Sequence, residues 1–403
     1  MALTNKLSAI GDAIRSKTGT TELMTLDAMP AAIEAIQTGG GGDLEIPPEA
    51  FIFTGDCQYK FSNNSFIWFI DQCGSRITTK DISNASNMFY NSNKLKTIPF
   101  DINFRNGGCY CTSMFSGCDS LESVPSIDFK QTNNQAIWSV FQNCSALKEI
   151  GKLSNIYPNT QGMSSMFFGC NSLRYLPEFE NLNLEKAYSG SYFSFSSLFE
   201  SCYSLRSIPE EFLKRLYVPL VKSNSSPVCY RGFRECFTLD EIRGLNPQTG
   251  TITSNMFPIT FESCHRLKDI IFAAQEDGTP YSVNWSNQSI SLQNTGYITN
   301  HLVQSMTMYN SGITLDKEVT DDATYQALKN DPDWFTMDAA YSRYNHDSAV
   351  NTINTLPDVT QGSGNTITFN GAAGSATDGG AINTLTEEEI AVAAAKGWTV
   401  TFA

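Results

Sequence analysis

Histidine is scarce in this chain, with three in 403 residues. His265, His301 and His346 lie far apart, and none belongs to HExxH or another spaced metal pair. Most acid–base and metal chemistry leans on that side chain, so its scarcity argues against a histidine-based enzyme, although paired carboxylates would leave no spacing signature. Charge is sparse as well. Only 17% of residues are charged, and Lys+Arg of 27 against Asp+Glu of 41 leaves a net charge of −14. A surface built to bind nucleic-acid phosphates needs clustered cations, so nucleic acid is excluded as a main partner, and docking on an anionic bilayer is disfavoured. No run approaches the ~18 apolar residues of a membrane span. The opening MALTNKLSAIGDAIRSKTG lacks the apolar core of a secretory signal. The chain is therefore expected to be soluble, made in a cytoplasm and not inserted in a membrane. GxxxxGK[ST], GxGxxG and GxSxG are all missing, and no cofactor is expected.

Cysteine and phenylalanine, at 11 and 26 residues, are plentiful, and they recur together. A Phe is followed three residues later by Cys, then by Leu, then by Ile or Val. The copies start at Phe89 (with Ser92 in place of Cys, then Leu95, Ile98, Pro99) and at Phe115 (Cys118, Leu121, Val124, Pro125). Phe141 (Cys144, Leu147, Ile150) and Phe167 (Cys170, Leu173, Leu176, Pro177) follow. The last are Phe199 (Cys202, Leu205, Ile208, Pro209), Phe233 (Cys236, Leu239, Ile242) and Phe261 (Cys264, Leu267, Ile270). The Phe-to-Phe steps are 26, 26, 26, 32, 34 and 28 residues.

A period near 26 falls within the ~20–29 residues of leucine-rich repeats, one strand plus a short helix or turn per coil. One coil cannot bury its Phe, Cys, Leu and Ile alone, so stacking must build a continuous core. The expected fold is an α/β repeat, a leucine-rich-repeat solenoid of about seven coils of ~26–34 residues spanning residues 81–272. Cys118, Cys144, Cys170, Cys202, Cys236 and Cys264 are expected to be free, buried thiols behaving as small hydrophobes. The MFxxCxxLxxIP core, as in Met114-Phe115 to Pro125 and Met166-Phe167 to Pro177, resembles the BspA-like leucine-rich repeats of bacterial surface proteins and gut phage virions. It departs from the better-known leucine-rich consensus in lacking an Asn ladder.

Residues 1–38 read as a pair of amphipathic helices. Leu3, Leu7, Ile10 and Ile14 share one face, as do Leu26, Met29, Ile33 and Ile36, with Thr25 or Asp27 as N-cap and Pro30 in the first turn. Such short helices are marginal in water. They are expected to attach the chain to other virion proteins or to sister chains through Leu7, Ile10, Ile14, Leu26, Met29, Ile33 and Ile36, or else to fold back on the repeats. The segment LSAIGDAIRSKTGTTELMTLDAMPAAIEAI resembles the start of many phage tail and fibre proteins, which implies a homo-oligomer, a trimer by preference. Residues 39–42 form a Gly linker, and 43–80 a β cap with strands at Phe51–Phe53 and Phe66–Ile70. Residues 273–345 read as an irregular insertion, with strands between Val283 and Leu292 and two helices between Thr320 and Tyr344. In 346–403 the strand Thr366–Phe369, the capping box Thr386-Glu387-Glu388-Glu389, a helix through Ile390 and Ala394, and the strand Trp398–Phe402 form a β-α-β cap. LTEEEIAVAAAKGWTVTF also resembles the terminal motif of these phage and surface proteins.

Exposed strand positions should adjoin on stacked coils. Lys148, Arg174, Tyr175 and Arg206 then form a patch able to grip an anionic glycan or a protein, or else an ordinary solvated face. Tyr203 and Phe237, with Tyr90 and Phe168, are aromatics that could anchor a ligand or pack on the preceding coil. Cys109, Cys111 and Cys118 resemble part of a zinc site without a fourth ligand, and no metal is expected. The resemblance implies a non-enzymatic tail-fibre or tail-tip component of a phage virion that binds a host cell-surface glycan or protein. A bacterial BspA-like adhesin, or a virion decoration or head fibre without receptor binding, is the alternative.

Overall fold

The computed structural model describes residues 51–64, 70, 77–108, 110–130, 136–158, 162–183, 195–215, 230–245, 251–252, 260–261, 264, 267, 269–292, 297–298, 341–342, 346–369 and 385–402. The helical pair expected in 1–38, the Gly linker, Cys109 and the helices expected between Thr320 and Tyr344 lie outside these residues. Strands β1 (Phe51–Asp56) and β2 (Ile77–Asn84) open the described chain and pair in parallel. Ile70, read with its neighbours as strand, is helical and buried.

From there the sequence repeat becomes a stack of rungs. The short strands β3 (Ser123–Val124) and β4 (Ile127–Asp128) belong to one repeat, β5 (Glu149–Ile150) and β6 (Leu153–Ile156) to the next, and β7 (Phe179–Leu182) to the one after. All pair in parallel with a uniform register: Ser123 opposite Glu149, Ile127 opposite Leu153, Leu153 opposite Phe179. The strands are so short because most of each rung is a series of tight turns. Residues two before and two after each core Phe from Phe61 to Phe233 sit in the left-handed region, for example Ser113 and Gly117 around Phe115, and Ser139 and Asn143 around Phe141. Glycine and asparagine visit that region at least cost. At Gly117 the requirement is double, because φ is +78° and an added Cβ would lie 2.3 Å from Asn91 Oδ1 of the rung before.

Side chains lock the rungs together. Successive Phe rings from Phe61 through Phe89, Phe115, Phe141, Phe167, Phe199 and Phe233 to Phe261 are stacked, with centroids 5.1–5.9 Å apart. Neighbouring strands lie about 4.8 Å apart, so each ring is slid sideways over the next, the offset that ring quadrupoles favour. Phe61 adds a rung before the first sequence match. The longer steps do not disturb the column: Phe167–Phe199 and Phe199–Phe233 are both 5.8 Å apart, as is Phe141–Phe167. Extra residues are placed outside it, in part as α1 (Glu210–Arg215), whose Phe212 packs 4.6 Å from Phe179.

The cysteines have a bonding role beyond filling space. Each thiol donates to the carbonyl of the Phe one rung earlier: Cys118 to Phe89, Cys144 to Phe115 and Cys170 to Phe141 at 3.1 Å, Cys202 to Phe167 at 3.0 Å, Cys236 to Phe199 at 3.1 Å and Cys264 to Phe233 at 2.9 Å. Ser92 makes the equivalent bond to Phe61 O. Phe115 O also accepts from Cys118 N, so both lone pairs of the carbonyl are used. All eight described cysteines are buried thiols outside any disulfide. Burial pushes the Cys118 thiol up to about 12 and the Cys144, Cys170, Cys202 and Cys236 thiols well above their ordinary range, so all remain protonated donors. A short ladder of amides runs along another edge, from Asn181 Nδ2 to Asn155 Oδ1 (3.1 Å) and from Asn155 Nδ2 to Asp128 Oδ1 (2.8 Å). The sequence reading missed it, because these residues lie outside the Phe–Cys–Leu–Ile frame.

Beyond Phe233, β8 (Glu241–Leu245) pairs in parallel with β10 (Asp269–Phe272), and β9 (Thr251–Ile252) with β11 (Asn284–Trp285). β12 (Ser289–Ser291) joins a three-stranded parallel sheet in the order β12-β15-β16, with β15 Asn365–Phe369 and β16 Trp398–Phe402. The pair β13 (Tyr297–Ile298) and β14 (Tyr341–Ser342) is antiparallel. Two helices cover this end, α2 (His346–Thr355) against β10 and α3 (Glu387–Ala395) between β15 and β16. α3 begins in the capping box, with Thr386 Oγ1 accepting from Glu389 N and Glu389 Oε2 from Thr386 N.

Candidate functional site

Between the core Leu and the core Ile or Val, each rung turns two side chains outward, and these form adjoining columns. Backbone bonds set the first column: Glu122 N to Lys96 O at 2.8 Å, Lys148 N to Glu122 O at 2.9 Å, Arg206 N to Arg174 O at 3.0 Å and Asp240 N to Arg206 O at 3.2 Å. In the second, Thr97 bridges Ser123, Ser123 pairs with Glu149, Tyr175 bridges Ser207 and Glu241 pairs with Asp269. Arg174 and Arg206 therefore occupy neighbouring rungs, and Tyr175, 59% exposed, stands beside them.

Lys148 belongs to the rung before Arg174, but its ammonium faces the other way along the column. It lies 3.4 Å from Glu122 Oε2, both side chains about half exposed. A pair of that kind adds little stability, ~0–1 kcal/mol, yet it cancels the local charge. On the far side, Arg243 Nε lies 2.7 Å from Glu241 and its Nη2 3.5 Å from Asp269. The hydrogen bond to Glu241 holds that guanidinium above its ordinary pKa. Arg174 and Arg206 thus stand between the Lys148–Glu122 pair and the acidic Asp240, Glu241 and Asp269.

The aromatic candidates divide. Phe237 is buried under Tyr203, their rings 4.7 Å apart and 7° from parallel, and Tyr203 is the half-buried member that still meets solvent. Tyr90 and Phe168 are half-buried. The attachment residues Leu7, Ile10, Ile14, Leu26, Met29, Ile33 and Ile36 lie outside the described residues, as does most of 299–345. Cys111 is buried, and Cys118 is bonded to Phe89 O. Among the described residues no three His, Cys, Asp or Glu side chains are grouped to hold a metal, and no helix is long and apolar enough to cross a membrane.

One cluster escaped the sequence reading. Glu200, only 3% exposed, faces Arg234 Nη1 at 3.1 Å and Arg231 Nη1 at 3.5 Å. Its signal was legible: Arg231 and Glu235 occupy the two left-handed positions around Phe233, where most other rungs carry Ser, Asn or Gly. Charged residues accept that backbone here because they are tied to each other, Arg234 to Glu235 at 2.6 Å and Ser201 Oγ to Glu235 Oε2 at 2.8 Å. His346, the one described histidine, is also engaged, its Nε2 3.0 Å from Glu389 Oε2. No protein-family model, curated protein or solved structure matches the chain.

Proposed function

We propose that this chain is a leucine-rich-repeat solenoid of the BspA-like kind, serving a phage virion as a non-enzymatic tail-fibre or tail-tip component that binds a host cell-surface glycan or protein. The observation that carries the reading is the outward column around Arg174, Tyr175 and Arg206, held at fixed spacing by a stack with a continuous column of Phe rings in its core. An extended, rigid, repeating surface suits recognition of an extended ligand, and an exposed Tyr beside two Arg matches the residues that dominate binding energy at interfaces. Residues 1–38 would attach the chain to other virion proteins or to its own copies, as a homo-oligomer with a trimer favoured. The protein would be made in the host cytoplasm and carried on the particle, without cofactor, nucleic acid or membrane insertion.

The test is binding of the labelled full-length protein to a panel of intact gut Gram-positive strains that includes a host the phage infects. Saturable binding to a few strains is expected, competed by their purified wall glycan or surface protein. Tyr175→Ala and Arg206→Ala are each expected to weaken it about tenfold, near 1.4 kcal/mol. Failure to bind a known host would replace this reading with that of a virion decoration. Detection of the chain on bacterial envelopes but not on particles would replace it with that of an adhesin.

A further inference from the structure

A second surface of the stack carries a different chemistry. Two residues after the core Phe of the first four rungs stand Asn63, Asn91, Gly117 and Asn143, all in the left-handed region. Together with Asn64, Asn93 and Asp119 they line an open groove of about 500 Å³. The walls are almost wholly polar and include no Lys or Arg. Asn64 Nδ2 donates to Asn93 Oδ1 at 2.7 Å, which ties those two side chains together. No described residue hydrogen-bonds the side-chain amides of Asn63, Asn91 and Asn143 or the Asp119 carboxylate.

The bland account of these asparagines is that the backbone needs them, since Asn tolerates positive φ. That explains Asn63, Asn64, Asn91 and Asn143. It does not explain Asn93 or Asp119, which are outside the left-handed region. Nor does it explain why a carboxylate stands on this wall with neither a cation nor a donor beside it. The surrounding protein already holds Asp119 above its ordinary pKa by desolvation.

We infer that this groove binds a neutral oligosaccharide laid along the stack. Side-chain amides each offer two donors and an acceptor, and a carboxylate accepts up to four hydrogen bonds, which is the set that a chain of hydroxyls requires. The lone Asp119 and the missing cations turn away anionic glycans. The pitch is compatible, because neighbouring rungs about 4.8 Å apart come near the rise of one hexose along an extended glycan. At the third rung the missing side chain of Gly117 leaves the space that the Asn91 amide oxygen fills. The inference does not rest on the phage reading or on the Arg174–Arg206 face.

The test is an array of neutral and anionic oligosaccharides probed with the full-length protein in EDTA, followed by titration of the retained glycan. Neutral glycans are expected to be retained independently of Arg206, and any anionic glycan retained is expected to be lost with Arg206→Ala. Asn91→Asp, which keeps the backbone preference, and Asp119→Asn are each expected to weaken the titrated affinity about tenfold, with melting temperatures unchanged. Arg206→Ala, on the other face, is expected to leave it intact. Retention of no neutral glycan overturns the inference, as does equal retention by both groove variants, or loss on Arg206→Ala alone. Calcium binding to the groove in place of any glycan overturns it too.

Discussion

The repeat stack and the C-terminal end reach order by opposite means. In the stack one solution is copied: Phe on Phe, a thiol on the preceding Phe carbonyl, and left-handed turns on either side. The described C-terminal end is held mainly by individual polar ties. Asn365, fully buried, donates to Trp285 O at 2.8 Å and accepts from Gln288 N at 3.0 Å. Trp398 Nε1 reaches Pro357 O at 2.9 Å. Lys396 Nζ donates to Ile353 O and Asn354 O, at 2.9 and 2.6 Å, satisfying the last carbonyls of α2 and countering its dipole. Burial lowers the pKa of that lysine. The difference teaches that a column distributes stability over equal neighbours, while a cap concentrates it in a few polar bonds that must all be made.

Removing one large side chain from each region should give the largest effect and the sharpest contrast. Phe141→Ala and Trp398→Ala are each expected to cost about 3–5 kcal/mol. In Phe141→Ala two stacking contacts vanish, at 5.5 and 5.8 Å, and rungs on both sides lose a neighbour. Hydrogen exchange should then accelerate across the rungs from Phe115 to Phe167 and divide the denaturation curve. Trp398→Ala should loosen β16, β15 and α2 and leave the Phe column protected. Identical exchange maps for the two variants would end the distinction.

How much of this was legible in the sequence follows from the same contrast. Phe115, Cys118, Leu121 and Val124 announced their burial because the pattern recurs at a near-constant step, and all four are buried. The capping box at Thr386 is local and was legible for that reason. Not legible were contacts between residues of different frames, such as Asp128–Asn155–Asn181 and Lys396 on α2, whereas the charged turn at Arg231 and Glu235 gave a signal that went unread. These pairings depend on which rung lies over which, and composition does not encode that. On the candidate face, the spacing named Arg174 and Arg206 as neighbours. It did not foresee that Lys148 turns back to Glu122, or that Phe237 lies beneath Tyr203.

A smaller effect tests whether the thiols act as donors or merely as fillers. Cys144→Ala leaves a small cavity and removes the donor to Phe115 O, at an expected cost of about 1 kcal/mol. Cys144→Ser restores a donor, as Ser92 supplies one to Phe61 O, and should be the less damaging change in urea denaturation. If serine proves worse than alanine, the bond contributes nothing and size alone selects cysteine. Native protein should also leave these thiols unreacted with an aromatic disulfide reagent, because burial keeps the thiolate fraction negligible.

The smallest expected effect belongs to the cap alone and separates it from the stack by pH. His346 is held above its ordinary 6.5, first by the hydrogen bond to Glu389 and then by Asp347, 3.4 Å from Nδ1. A raised histidine contributes stability that is complete below its unfolded value and lost as pH rises through the folded one. Glu389 is lowered from its ordinary 4.5, chiefly by the backbone bond from Thr386 and then by His346. Its contribution is complete above the unfolded value and lost as pH falls through the folded one. Both terms coexist between about pH 4.5 and 6.5, where the tie between α2 and α3 is strongest. His346→Gln should flatten the pH dependence of the cap's hydrogen exchange in that window without altering exchange in the Phe column, which contains no group titrating there. A change in the column of equal size would mean that cap and stack unfold as one unit, and the contrast between them would then be one of construction only.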